Sequence, residues 1–209
     1  MPALAIVDKV DPLARRIGAV NCIVVAADGS LAGQNHDAFG YIESVREAQP
    51  KWRADAGPIV VIGAVGGARA VLVSLIDQGA REIRLVNRTL ARGEALAGEL
   101  GGSIRALGWE HREAALAGAA MLVNATNQGM VGEPLLDLAL DALPVSALVS
   151  DIIYIPRETA LLAAARKRGN PTVNGLGMLL HQARPAFHAW FGIMPEVTPE
   201  LRAMIEATT

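Results

Sequence analysis

The 209-residue chain is long enough to bury a full core as one domain or two small ones, and 52% of it is hydrophobic although only 4% is aromatic. A core of Ala, Val, Leu and Ile fits an α/β sheet wrapped by Ala-rich helices better than an all-β sandwich. A net charge of −2 with no basic run excludes an electrostatic case for nucleic acid or an anionic membrane. Cys22 is the only cysteine, which excludes a disulfide framework and a thiolate metal site.

The four histidines, His36, His111, His181 and His188, are scattered, so no metal cluster is expected. The opening Met-Pro-Ala-Leu-Ala-Ile-Val lacks a basic region and meets Asp8, Lys9 and Asp11 at once, unlike a signal peptide. No uninterrupted apolar run is long enough to span a bilayer. The expectation is a soluble, cytoplasmic protein.

In chain order, Leu4, Val7, Val10, Leu13, Ala14 and Ile17 fall at helical spacing and predict a helix over 3–17, ending near Gly18. Residues 19–25 read as a strand, Ala27-Asp28-Gly29-Ser30 as a hairpin turn and 31–34 as the returning strand. A helix follows over 38–48, then a polar linker over 49–57. Strands are expected at 58–62, 82–86, 103–106, 120–125 and 147–152, with helices between them at 67–78, 89–100 and 110–118. That alternation is the signature of a parallel sheet with right-handed crossovers, a Rossmann-type α/β fold with helices on both faces. A helix over 159–168, a short edge strand at 172–174 and terminal helices over 176–191 and 199–207 complete the pattern.

The most informative stretch is Gly63-Ala64-Val65-Gly66-Gly67-Ala68 after the strand Ile59–Ile62. The four apolar residues do not alternate, as in a parallel strand covered on both faces. A helix beginning in the glycines points unpaired N–H groups and its positive end at the turn, which suits a pyrophosphate. About 20 residues on, such units place the group that reads the adenine ribose. Here that position holds Asn87-Arg88-Thr89, with Arg92 one helical step later. Two guanidiniums, an amide and a hydroxyl without a carboxylate fit a ribose 2′-phosphate, so the cofactor expected is NADP. Val65 stands where the fingerprint has its second glycine, and a β-branched residue there is expected either to crowd the phosphates or to shift the loop.

Several polar clusters lie outside this unit: Gly18-Ala-Val-Asn21, Gly33-Gln-Asn-His36-Asp37, Asn124-Ala-Thr-Asn-Gln-Gly-Met130, Asp151-Ile-Ile-Tyr154-Ile-Pro156 and Gly175-Leu-Gly-Met178-Leu-Leu-His181-Gln182. With the glycine turn and Asn-Arg-Thr they make seven ordered matches, and the chain resembles the shikimate dehydrogenase family along essentially its whole length. That resemblance implies reduction of 3-dehydroshikimate to shikimate with NADPH, a step of chorismate and aromatic amino-acid biosynthesis, in a cleft between two domains. It implies a nucleotide domain over 38–175 and part of a smaller substrate domain over 1–37 and 176–209. Asn21, Asp37, Tyr154 and Gln182 become substrate contacts, with Asp37 catalytic. Gly63 to Ala68 cradle the pyrophosphate and Asn87 to Arg92 hold the 2′-phosphate. Ala125, Thr126, Ile152, Gly175 and Met178 line the nicotinamide half. The partners implied are small molecules, and a homodimer is compatible.

The family's serine pair and its Asn-Val-Thr-x-Pro-x-Lys loop have no counterpart in these residues; Lys9 lacks the surrounding motif. The chain is therefore expected to be N-terminally truncated, impaired in turnover and left with uncovered apolar surface. Cys22 replaces a threonine of the pattern, and so does His36. Read without the resemblance, Asn21 caps a turn, Asp37 is the N-cap of the following helix, and Tyr154 is an interior ring. Gln182 is then an exposed helical residue, and Arg88 and Arg92 form a solvated helix face. His36 and His181 are solvated or capping histidines, and Cys22 is a small buried hydrophobe. A nucleotide-binding remnant without catalysis, and a relative acting on quinate or another hydroxy acid, remain open.

Overall fold

The computed structural model describes residues 3–208. Two sheets organise it. Six parallel strands, β4 (Ile59–Ile62), β5 (Ile83–Asn87), β6 (Ile104–Gly108), β7 (Met121–Asn124), β8 (Leu148–Asp151) and β9 (Thr172–Val173), lie in the order β6-β5-β4-β7-β8-β9. This is the expected Rossmann-type arrangement, with its order reversing between β4 and β7. A second, three-stranded sheet is formed by β1 (Lys9–Val10), β2 (Cys22–Val25) and β3 (Leu31–Gln34), where β3 pairs parallel to β1 and antiparallel to β2.

The large sheet is covered on both faces because its strands present apolar side chains to each. Ile59 and Val61 face one cluster with α3 (Gly66–Asp77), which supplies Val71, Leu72 and Leu75. Val60 and Ile62 face the other with Leu161 and Leu162 of α5 (Ala160–Arg168). Every residue of β4, β7 and β8 is buried.

The helix expected over 3–17 is corrected. A 3-10 turn (Ala3–Ala5) and β1 precede a shorter α1 (Pro12–Ile17). The break has a local cause: the Asp11 side chain accepts from Leu13 N and Ala14 N and Pro12 takes the first helical position, so the helix starts there. Upstream, Lys9 and Val10 pair with Ala32 and Gly33 instead. The helix expected over 110–118 is also absent, replaced by 3-10 turns at Trp109–His111 and Ala114–Leu116. Arg84 Nη1 donates to the carbonyls of Ala115 and Ala117 at 2.7 Å, drawing the end of the segment out of helical continuation. So short a segment has little helical stability of its own.

Between the sheets, α2 (Asp37–Ala48) crosses α6 (Leu176–Phe191) at close range. A Cβ on Gly40 would sit 2.6 Å from Gln182 Cβ and 2.6 Å from the Met178 carbonyl, and one on Gly177 would sit 2.2 Å from Ser44 Oγ. The remaining helices are α4 (Leu90–Leu100) and α7 (Pro199–Glu206). Among the described residues no helix is long and apolar enough to cross a membrane.

Candidate functional site

The glycine turn lies where β4 ends, beside the end of β7. That is the switch point at which open α/β sheets bind ligands, outside the carboxyl ends of their strands. Gly63 has φ +105°, and a Cβ there would stand 2.7 Å from Thr126 Cγ2, so both backbone shape and space require glycine. Gly66 opens α3 with nothing within 4 Å of where its Cβ would be, leaving the helix N-terminus accessible. A Cβ on Gly67 would meet Ile152 Cδ1 at 2.7 Å.

One cleft is lined by Gly63, Ala64 and Val65 on one side and by Asn87, Arg88, Thr89 and Arg92 on the other. Asn87 Nδ2 donates to the Thr89 carbonyl at 2.8 Å, shaping the loop that starts α4. Arg88 and Arg92 are exposed, and neither is paired with a carboxylate among the described residues. An accessible helix N-terminus and two unpaired guanidiniums on one cleft fit a dinucleotide with a 2′-phosphate. The reading of these arginines as a merely solvated face loses ground, because they line the same cleft as the glycine turn.

Val65 sits in the turn without backbone strain. It has φ −120° and ψ 178°, an ordinary extended conformation, and its side chain is 52% exposed. The valine stands at the cleft mouth. Beyond it a second hollow is lined by Gly67, Ala125, Thr126, Ile152 and Tyr154. Tyr154 is 38% exposed, so the interior-ring reading is corrected.

A buried network fixes the floor of this hollow. Asn124 Nδ2 donates to Asp151 Oδ1 at 3.1 Å, while its Oδ1 accepts from Thr126 N at 3.1 Å and from Thr126 Oγ1 at 2.7 Å. Asp151 also accepts from Ile153 N at 3.1 Å and from Thr159 Oγ1 at 2.8 Å. Burial pushes the Asp151 carboxyl up, and the donors at Ile153, Thr159 and Asn124 oppose that. Gly175 N donates to the Ile153 carbonyl at 2.9 Å. A Cβ on Gly175 would lie 2.0 Å from the Ile152 carbonyl oxygen, so α6 starts against this strand end. Met178 is half-buried and packs with Ala64 and Ile152 on the same core cluster.

Seven residues along α6 from Gly175, about 10 Å at 1.5 Å per residue, Gln182 meets the loops of the small sheet. Asn21 Nδ2 donates to Asp37 Oδ1 at 2.8 Å and reaches Gln182 Oε1 at 3.5 Å. Asn21 Oδ1 accepts from His36 N at 3.0 Å. Three predicted side chains thus come together; Tyr154 makes no hydrogen bond to them. The N-cap reading of Asp37 is corrected. His36 occupies the cap position without a side-chain bond, and the Asp37 carboxylate turns to Asn21. Burial raises the Asp37 pKa, opposed by hydrogen bonds with Asn21 and Asn35 and by the charge of His36.

Asn35, inside the Gly33–Asp37 motif, is a residue whose part no sequence pattern marks. It is 2% exposed, accepts from Asp37 N at 2.9 Å and donates to the Ala19 carbonyl at 3.1 Å, pinning the two loops together. Trp109, Asn127 and Gln128 also line the glycine-turn cleft; an aromatic directly after a strand end was the available signal for Trp109. His36 sets its Nε2 3.1 Å from Gln34 Oε1. His181 is buried with Nε2 3.1 Å from Glu47 Oε2, which corrects the solvated reading. Cys22 is buried, as a small hydrophobe would be.

Known proteins match this chain over nearly all of it. The family model described as shikimate / quinate 5-dehydrogenase matches residues 46–136, and the shikimate 5′-dehydrogenase C-terminal domain matches residues 175–207. A shikimate dehydrogenase (NADP(+)) of Paramagnetospirillum magneticum is 53% identical over 202 residues, covering 97% of this chain and 73% of the relative. One from Rhodospirillum rubrum is 53% identical over 207 residues, with the same coverage. Among solved structures, quinate dehydrogenase from Corynebacterium glutamicum in complex with NAD has a TM-score of 0.90 at 31% identity, over 98% of this chain and 73% of that one. Shikimate 5-dehydrogenase from Thermus thermophilus in complex with NADP(H) and shikimate has a TM-score of 0.80 at 36% identity, over 93% and 70%.

Proposed function

The chain belongs to the shikimate dehydrogenase family, and from that premise we propose that it is an NADP-dependent oxidoreductase interconverting shikimate and 3-dehydroshikimate. The observation that carries the reading is the Asn21–Asp37–Gln182 cluster, joined by α6 to the floor of the dinucleotide cleft. Membership of an enzyme family sets aside the non-catalytic remnant. The absence of a carboxylate at Asn87-Arg88-Thr89 favours NADP over NAD.

Gly63 to Ala68 would hold the pyrophosphate and Asn87 to Arg92 the 2′-phosphate, while Ala125, Thr126, Ile152, Gly175 and Met178 would border the nicotinamide. The bound cofactor supplies the hydride acceptor or donor. The chain's own residues do the rest. Asn21 Nδ2 fixes Asp37 Oδ1, leaving Oδ2 to accept from a substrate hydroxyl. As the alcohol carbon gives up its hydride, the hydroxyl proton must leave for a carbonyl to form, and Asp37 Oδ2 is the acceptor in reach. Asn21, Gln182 and Tyr154 offer amides and a phenol to the remaining hydroxyls. The substrate half comprises 1–37 and 176–209, and the nucleotide half 38–175.

The test is shikimate-dependent reduction of NADP+, read as nicotinamide absorbance, with quinate and NAD+ as comparisons. Preference for shikimate with NADP+ is expected; preference for quinate moves the chain to the other branch of the family. Self-association belongs to the same proposal. Phe187, Trp190, Phe191 and Ile193 at the end of α6 are exposed, the kind of apolar patch that pairs proteins. A sedimentation coefficient independent of concentration, at the monomer value, removes it.

A further inference from the structure

Arg69 is a half-buried link between the two halves of the cleft that the cofactor and substrate roles leave unused. It lies in the first turn of α3, three residues beyond Gly66, yet its guanidinium leaves the cofactor side and reaches the small-sheet lobe. Nε donates to the carbonyl of Ile17, at the end of α1. Nη1 and Nη2 form a two-pronged pair with Glu99 of α4, the first at 2.8 Å. The arginine side chain is only 22% exposed.

The Ile17 carbonyl belongs to the last turn of α1, whose carbonyls lack helical partners and carry the negative end of the helix dipole. A guanidinium is the fitting cap. Next in the chain, Gly18 turns with φ +78°, and a Cβ there would lie 3.0 Å from Arg69 Nη2. The arginine therefore occupies the space beside the turn. Three residues on is Asn21, the side chain that fixes Asp37. Ile17 itself packs with Ala70 and Val73 of α3, and Arg16 pairs with Asp77 at 2.5 Å. Those contacts seat α1; Arg69 grips the start of the turn from α3, while Asn35 holds it at the Ala19 carbonyl from the neighbouring loop.

We infer that Arg69 is a positioning residue: it sets the Gly18–Asn21 loop, and through Asn21 the reacting carboxylate, from the helix whose N-terminus receives the cofactor. This rests on the proposed activity for its kinetic consequence but not for its structural one. Glu99 holds the guanidinium plane so that Nε addresses Ile17.

Arg69→Met keeps the aliphatic stem and removes the donors; Arg69→Lys keeps charge but not the fork. Amide hydrogen exchange on the ligand-free protein is the first readout. Arg69→Met should speed exchange over 18–21 while 63–68 stays as in the parent. In turnover, the KM for shikimate should rise about tenfold with the KM for NADP+ within about twofold, since small misplacement of a positioning group is costly to the reacting geometry alone. Arg69→Lys should recover part of the loss. Unchanged exchange over 18–21, or equal rises in both KM values, overturns the inference. Altered exchange in a protein that does not oxidise shikimate leaves Arg69 in this role and rejects the activity instead.

Discussion

The six-stranded sheet and the three-stranded sheet are held up in different ways. In the large one every residue of β4, β7 and β8 is buried, and helices cover both faces. In the small one Cys22 is the single buried residue of β2, and Val25 is 67% exposed. The dinucleotide cleft therefore rests on backbone shape over a self-sufficient core. The Asn21–Asp37–Gln182 cluster rests on side-chain hydrogen bonds from the Asn21 loop to α2 and α6, with α3 bracing the loop. One half is made by packing and the other by polar geometry, so substitutions should separate them.

Asp37→Asn is the largest expected separation. It keeps an acceptor for Asn21 but removes the proton acceptor, so turnover should fall by about 10²–10⁴ while NADP binding stays. Burial raises this carboxyl in the folded state, so between its unfolded and folded pKa values the folded protein binds the extra proton. Its contribution to stability is thus most favourable below the unfolded value and declines as pH rises through the folded one. At neutral pH the ionised group is a standing cost, and Asp37→Asn should melt no lower than the parent there. The parent's activity should fall with acid at a higher pH than an unperturbed aspartate would set. A variant that melts lower at neutral pH and higher in acid would reverse the sign and the argument.

Gly40→Ala attacks the brace. A Cβ there would press on Gln182 Cβ and the Met178 carbonyl, parting α2 from α6 and with them Asp37 from Gln182. Overpacking should cost about 1–3 kcal/mol in denaturant unfolding. Shikimate turnover should drop about 10²-fold from misplacement, with NADP affinity nearly kept. If NADP affinity falls equally, the two halves are not supported separately.

Arg88→Ala tests the other half. A charge-assisted contact to phosphate contributes about 1.5–3 kcal/mol, so NADP should weaken by roughly 10- to 100-fold and NAD hardly at all. Equal losses in a binding titration would remove the 2′-phosphate assignment.

The same division governs what the sequence discloses. The large sheet was legible because its strands are continuous apolar runs and its helices alternate with them, so pattern and packing agree. The glycine turn was legible because Gly63 answers to a local backbone demand. The small lobe was legible only in its hairpin, which the Asp28-Gly29 turn signals and β2 and β3 bear out. Lys9 and Val10 fall on the helical period of their neighbours, and only the Asp11-Pro12 start signal argued for a break. Asn21, Asp37 and Gln182 are 16 and 145 residues apart along the chain, and no periodicity brings them together; only the resemblance did. Asn35 escaped because its partners are a backbone amide and a backbone carbonyl, and Arg69 because Ile17 and Glu99 lie 52 and 30 residues away along the chain.

Val65→Gly is the smallest effect and the finest probe of the comparison. If the pyrophosphate turn acts through its backbone, a residue already in extended geometry there should matter only through the bulk of its side chain. That side chain stands at the mouth, touching both the glycine-turn cleft and the Tyr154 hollow. Removing it lets a pyrophosphate approach the turn more closely, which should tighten NADP. Against this, glycine adds freedom to the ligand-free loop, costing about 0.5–1 kcal/mol. The net expectation is a gain of about two- to threefold in affinity with a slightly lower melting temperature. A titration in which NADP binds Val65→Gly more weakly would mean that the valine packs on the bound cofactor. The turn itself would then depend on a side chain, as the 2′-phosphate end of the cleft and the substrate half do.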